Sequence, residues 1–311
     1  MALYVPTNTS SINAQRRLNT ATKALDTTFQ HLASGLRINS ARDDAAGLQI
    51  SDRLTSQING LKQGNRNAND GIALCQTMEG ALDETTNMLQ RIRTLAIQAA
   101  NGTNTEIDRK SIQQEVEALS QEITRIACKT TFGGQQCLAG TKGLLAPSGK
   151  IVFHVGAYTN DTISLSLTAG FTLKGICGDE SVLGTGNAIV FGQSLSTTTT
   201  GLVTTTNGID QFSVITQSTA ELTIAAIDKI INVVDTHRAA LGALQNRMES
   251  TIRNQEVTHE NVSDARSRIR DADYAEEAAN LSAQTITQQA ATTVLTQANQ
   301  RPQIALSLLG G

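Results

Sequence analysis

His259–Glu260 begins as a zinc-protease helix motif does, with a histidine ligand followed by the carboxylate that would serve as base. The second histidine of that motif would fall at Ser263, so the ligand pair is absent and the metal reading fails. His31, His154 and His237 stand apart in the sequence, and no Cys/His spacing matches a zinc site. Arg42, Asp43 and Asp44 pose a second possibility, an acid pair beside a cation. Adjacent carboxylates next to an arginine more often hydrogen-bond within a connector, and Gly35 and Gly47 flank this stretch where the surrounding periodicity breaks. The cluster Arg266, Arg268, Arg270, Asp271 and Asp273 raises the same question. Two helical residues at that Asp-Ala-Asp spacing point about 200° apart, which suits ion pairs rather than one shared metal. Four cysteines, Cys75, Cys128, Cys137 and Cys177, allow three full pairings that sequence does not choose between. Cys75 lies on an apolar heptad line, where a thiol packs as a small hydrophobe. The others are expected to be mainly free thiols, with Cys137 the first to find a partner. Asn8, Asn101, Asn160, Asn261 and Asn280 satisfy N-x-[ST], which the abundance of Asn and Thr yields by chance. No Gly-rich phosphate loop or nucleophile elbow occurs, so the reading predicts no catalytic residues, no cofactor and no metal.

The elements that would position these groups are long helices. The three prolines are Pro6, Pro147 and Pro302, which leaves two uninterrupted tracts between them. Ala14, Leu18, Ala21, Leu25, Thr28 and Leu32 alternate spacings of four and three, the seam of a coiled coil. Leu54, Leu61, Ala68, Cys75, Leu82, Leu89 and Ala96 form a seven-residue line, and Ile112, Val116, Leu119, Ile123 and Ile126 a third helix that runs towards Gly133–Gly134. Asn101–Gly102 marks the turn between them. Near the other end, Ile227, Val234, Leu241 and Met248 lie on one line with Ile230 and Leu244 beside it. Ala279, Ala283, Ile286, Ala290, Val294 and Ala298 make a small-residue stripe whose expected partner is the N-terminal helix. The middle differs: IVFHV (151–155), TISLSL (162–167) and AIVFG (188–192) read as short strands, and the Thr-rich 196–208 as a surface loop.

Composition narrows the class. Acidic residues exceed basic ones, 28 to 25, so a basic nucleic-acid footprint is missing. No stretch approaches the ~18 apolar residues of a membrane span, and MALYVPTNTS lacks the order of a signal peptide. Aromatics are 3% with no Trp, too few large anchors for a compact enzyme core. Paired ends that bury one Leu/Ala seam hardly offset their ordering entropy, so they are expected to lack structure in a lone chain and to order when other copies cover them.

LASGLRINSARDDAAGLQISDRLTSQINGLKQGNRNANDGIALCQTMEGAL (32–82), LGALQNRMESTIRNQEVTHENVSDARSRIRDADYAEE (241–277) and QANQRPQIALSLLGG (297–311) together resemble the bacterial flagellins over about two thirds of the chain. Tyr274 stands where that family usually has Phe, and four cysteines are unusual in it. The resemblance implies a mainly α protein with a β-rich central part. Residues 1–44 and 268–311 would be inner-core coiled-coil helices, 45–177 and 213–267 an outer-core antiparallel helical bundle with β-hairpins, and 178–212 a very small outer insertion. It implies a non-enzymatic subunit of a helical flagellar filament for swimming, extracellular, exported without a cleaved signal peptide. Implied partners are many copies of itself, the flagellar export apparatus, an export chaperone and a cap protein, with no nucleic acid and no membrane.

By the same resemblance, Leu18, Leu25, Leu32, Ala279, Ala283, Ile286, Ala290, Val294, Leu306, Leu308 and Leu309 pack subunits together. Arg42, Asp43 and Asp44 form the spoke connector between the two core layers. Leu89, Gln90, Arg91, Leu95 and Glu115 match the contact that a host Toll-like receptor makes with the monomer, although Leu89 also sits on the packing line. Thr197, Thr198, Thr199, Thr200, Thr204, Thr205 and Thr206 are the candidates for O-glycosylation. The competing readings are a hook-filament junction protein and a secreted coiled-coil adhesin.

Overall fold

The computed structural model describes residues 7–140, 144, 149–166, 170–172, 203–206 and 209–309, with backbone alone at 203–206, 209–210 and 301–309. Expectations for the strand at 188–192, for Cys177, for Thr197–Thr200 and for the side chains of Leu306, Leu308 and Leu309 fall outside the described residues. Five helices are described: α1 (Thr9–Ser34), α2 (Ala45–Ala100), α3 (Glu106–Lys129), α4 (Gln217–Arg270) and α5 (Tyr274–Leu309). Three antiparallel hairpins lie between α3 and α4: β1 (Thr131–Phe132) with β2 (Gln135–Gln136), β3 (Lys150–His154) with β4 (Thr162–Ser166), and β5 (Val203–Thr206) with β6 (Ile209–Phe212).

Polar side chains start these helices at the positions where backbone amides have no helical acceptor. Asn8 Oδ1 accepts from Ser11 N, Asp44 Oδ1 from Ala46 N and Gly47 N, and Asp273 Oδ1 from Ala275 N. Thr105 and Asp108 form a capping box on α3. Gly35 closes α1 with φ 70°, its amide bonded to the His31 carbonyl. The glycine pair expected to stop α3 does something else. The helix ends at Lys129, and Gly133 and Gly134, at φ 58° and 82°, turn the chain between β1 and β2.

The chain divides into two compact units, residues 1–59 with 257–311, and residues 60–256. The divisions fall inside α2 and α4, away from the heptad breaks near 44 and 268 that sequence suggests as borders. Helices α2 and α4 run unbroken through the divisions at 59/60 and 256/257, whereas the helix ends near 44 and 270 are set by their caps.

In the 60–256 unit the predicted lines are the core. Ala68, Cys75, Leu82, Leu89 and Ala96 are fully buried against Ile227, Ile230, Val234, Leu241 and Met248 in one continuous cluster. Two ion pairs and one amide–carboxylate bond fix the antiparallel register of α2 and α4: Arg93 Nε donates to Asp228 at 2.6 Å, Arg238 to Asp83 at 2.8 Å, and Gln245 to Glu79 at 2.8 Å. Ile163 and Leu165 turn inward from β4. The end of the β3–β4 hairpin rests on the glycine face of α2. A Cβ at Gly60 would come within 2.8 Å of Ala157 Cβ, and one at Gly64 would overlap the Val155 carbonyl. Asn67 Nδ2 donates to the His154 carbonyl at 2.8 Å, and Gln255 Nε2 to the Val155 carbonyl.

The Thr-rich stretch read as a loop is partly strand. Thr204, Thr205 and Thr206 belong to β5, paired with Gln211, Asp210 and Ile209. β-branched threonine fits a pleated backbone, and buried Gln113 anchors the return strand by donating to the Phe212 carbonyl and accepting from Val214 N.

Candidate assembly interface

The terminal helices α1 and α5 run antiparallel in the unit formed by residues 1–59 and 257–311. They are helical and paired with each other within the one chain. Their burial is thin. Ala14, Ala21 and Thr28 are buried on α1, with Leu18, Leu25 and Leu32 half-buried beside them.

On α5 the covered face consists of Glu277, Leu281, Gln284, Thr285, Gln288, Ala291, Leu295 and Ala298. The stripe expected to face α1 is largely elsewhere. Ala279, Ala283 and Ala290 are exposed, Ile286 is 66% exposed and Val294 56%, and only Ala298 of that stripe is buried. The sequence pattern misleads because α5 carries two apolar lines and spacing does not say which one the chain itself uses. Helix α5 therefore presents an uncovered small-residue face.

Polar contacts supply what the seam lacks. Pro302 lies inside α5 and has no amide hydrogen for the carbonyl four residues earlier, that of Ala298. Asn8 Nδ2 donates to that carbonyl at 2.7 Å, while Ser11 Oγ donates to Asn299 Oδ1 at 2.6 Å. At the far end of the pair, His31 Nδ1 meets Glu277 Oε1 at 2.7 Å. Beyond it Arg37 N donates to the Arg270 carbonyl and Ala272 N to the Gly35 carbonyl, a short two-way backbone bridge. Asn8, Ser11, His31 and Glu277 were not expected as packing residues. A sequence signal exists for Asn8 alone, in Pro302, which frees the Ala298 carbonyl for a donor from outside the helix.

The connector between α1 and α2 is built from its carboxylates. Asp43 Oδ2 accepts from Asn39 N, Ser40 N and Ser40 Oγ at 2.9 to 3.1 Å. The Ser40 and Asn39 amides hold its carboxyl below the usual Asp range. Asp44 caps α2. No side-chain bond is described for Arg42 among the described residues, so the three side chains are not one cluster. Asp271 and Asp273 take backbone roles, at the bridge and the α5 cap, and Arg268 pairs with Asp264 at 2.9 Å within α4. Tyr274 is exposed, with its hydroxyl beside Gly35.

The expected receptor contact divides in two. Gln90, Arg91 and Glu115 are exposed, and Arg91 Nε and Nη2 both donate to Glu115 Oε1, at 2.8 and 2.7 Å. Leu89 and Leu95 are 0% and 3% exposed, so neither presents a surface. They point inward because the heptad line, which Leu89 occupies, is the core of the bundle.

The thiols are packing groups. Cys75, Cys128 and Cys137 are free, and burial pushes the Cys75 thiol up to about 11. Cys137, expected to pair first, is buried in the core cluster with Sγ beside the Gln135 carbonyl. Among the described residues no group of His, Cys, Asp and Glu could hold a metal, and no helix is long and apolar enough to cross a membrane.

A unit of paired chain ends with an uncovered apolar face and a separate helical unit that carries β-hairpins define a class of long-helix structural proteins. Models of the bacterial flagellin N-terminal helical region and C-terminal helical region match residues 5–143 and 224–309. The chain belongs to the bacterial flagellin family. It is 39% identical to Flagellin B of Vibrio cholerae and 38% identical to Flagellin B of Vibrio anguillarum, over 378 and 376 aligned positions that span the whole of each chain. Those alignments are longer than the 311 residues of this chain, so it is the shorter partner in each. A solved chain from Vibrio parahaemolyticus, with a presumed hook-associated role in the flagellum, has a TM-score of 0.54 at 16% identity, covering 74% of this chain and all of that one. At that identity the likeness is one of fold alone.

Proposed function

We propose that this chain is the structural subunit of a bacterial flagellar filament, and that its uncovered α5 face is where copies join. The observation that carries this reading is the second apolar line of α5, with Ile286 and Val294 more than half exposed while the opposite line is already used by α1. Exposed apolar residues aligned on one helix suit a partner helix. Ala279, Ala283 and Ala290 let that partner approach closely, and Leu18, Leu25, Leu32, Leu306, Leu308 and Leu309 complete the packing set. Residues 1–44 and 268–311 form the inner layer of the polymer and the bundle its outer layer, with Asp43 and Asp44 bracing the connector. The protein has no catalytic role.

Copies leave the cell through the flagellar export apparatus, escorted by a chaperone, and add beneath a cap protein at the growing end. Contacts rich in Ala, Ser, Asn and Gln permit small sliding shifts between two packings, which curve the polymer into a propeller. Gln90, Arg91 and Glu115 are the surface that a host Toll-like receptor reads on released monomers. Negative-stain microscopy of the full chain beside a version lacking residues 281–311 tests the assembly reading. Long tubes from the full chain alone are the expected result, and monodisperse full-length protein under all assembly conditions would overturn it. A polymer that stays straight in every salt and pH would overturn the sliding mechanism.

A further inference from the structure

The sequence contains three Asn-Gly dipeptides, Asn59–Gly60, Asn101–Gly102 and Asn207–Gly208, the last outside the described residues. The first two sit in opposite environments. We propose that Asn101–Gly102 is a self-modification site, where asparagine is converted to aspartate or isoaspartate, while Asn59–Gly60 is kept inert by its helix. In this reaction the Gly102 nitrogen loses its proton and attacks Cγ of the Asn101 amide. The new C–N bond closes a five-membered succinimide, and ammonia leaves. Water then opens the ring. Attack at the side-chain carbonyl gives aspartate, and attack at the main-chain carbonyl gives isoaspartate. Water is the sole co-reactant, and no electrons are exchanged.

The turn between α2 and α3 provides what that step needs. Both residues are exposed, so water and base reach them. No hydrogen bond is described for the Gly102 amide among the described residues, whereas Asn101 N and Asn104 N are bonded at 3.2 and 3.3 Å. Nothing beyond its chain neighbours lies within 4 Å of the place a Cβ would take at Gly102, so the turn is open on that side. Asn101 Oδ1 accepts from Thr103 N at 3.4 Å, which draws the side-chain carbonyl along the backbone past Gly102 and polarises its carbon. Asn104 Nδ2 holds the turn to the Gln98 carbonyl at 2.6 Å. At Gly60 the conditions reverse. It lies within α2, where its amide belongs to the helical ladder, and it packs against Ala157. Cyclisation there requires the helix to open first.

The inference concerns the chemistry of the chain itself and does not rest on the filament reading. Its test is to age the purified full-length protein in mildly alkaline buffer at physiological temperature and follow both sites by peptide mass spectrometry. The readout is a mass increase of about 1 Da per site, with electron-transfer fragmentation to identify isoaspartate. The expected result is conversion at Asn101 at least about tenfold faster than at Asn59 in native protein, with the two rates converging in denaturant. Gly102→Ala, which open space and an ordinary φ accommodate, suppresses conversion at Asn101 with unchanged circular dichroism. Equal native rates at the two sites, or conversion at Asn101 in the unfolded chain alone, would overturn the proposal.

Discussion

The 60–256 unit and the terminal unit are both helical, and they are held together differently. The first buries whole lines of Leu, Ile, Val and Met at zero exposure. The second buries Ala14, Ala21, Thr28, Ile38, Ser51, Ile58 and Ala298, leaves its heptad leucines half-covered, and relies on hydrogen bonds at both ends of the α1–α5 pair. Because burial scales with apolar area removed from water, the bundle unit holds the larger share of the hydrophobic stabilisation. The terminal unit opens at low cost until further apolar surface covers it.

The widest test of that contrast is a matched pair of leucine truncations. Leu82→Ala, at a fully buried site, should cost about 3 kcal/mol in urea unfolding, and Leu25→Ala on the half-covered seam about 1 kcal/mol. Equal costs would break the comparison. Gly64→Ala should cost about 2 kcal/mol, because the added methyl meets the Val155 carbonyl, and should loosen the amides of 150–166 in hydrogen exchange.

A smaller effect belongs to the polar clasp. Asn8→Ala should cost about 1 kcal/mol, confined to the α1–α5 pair. In a double-mutant cycle, Pro302→Ala, which restores a helical donor to the Ala298 carbonyl, should reduce that cost. The smallest effect is at the connector. Asp43 titrates below its ordinary 3.8 in the folded chain, so its contribution is present above that value and lost as the pH falls through the lower folded value. The stability gap between wild type and Asp43→Asn should therefore persist at neutral pH and vanish in strong acid.

The bundle core was legible because each residue on a heptad line has one place to go. Ala68, Cys75, Leu82 and Leu89 face inward as their spacing requires. The α5 face was not, since the lines through Ile286 and through Leu281 both satisfy helical periodicity, and partners distant in sequence choose between them. Arg91 and Glu115 meet in an ion pair across α2 and α3, whereas Leu89 was drawn two ways, and burial outweighed exposure. Thr204–Thr206 read as loop because threonine is polar, while its β-branching, which the hairpin uses, leaves no alternation of polarity in a three-residue run. Asn8 was visible as part of a chance sequon, and its capping and clasp roles depend on a proline almost three hundred residues away.

Hydrogen exchange on the full-length monomer and on its polymer tests the central claim most directly. Amides of 60–100 and 225–255 should be strongly protected in both states, while those of 9–34 and 275–300 exchange quickly in the monomer and become protected on assembly. Terminal helices as protected as the bundle in the isolated monomer would contradict the account.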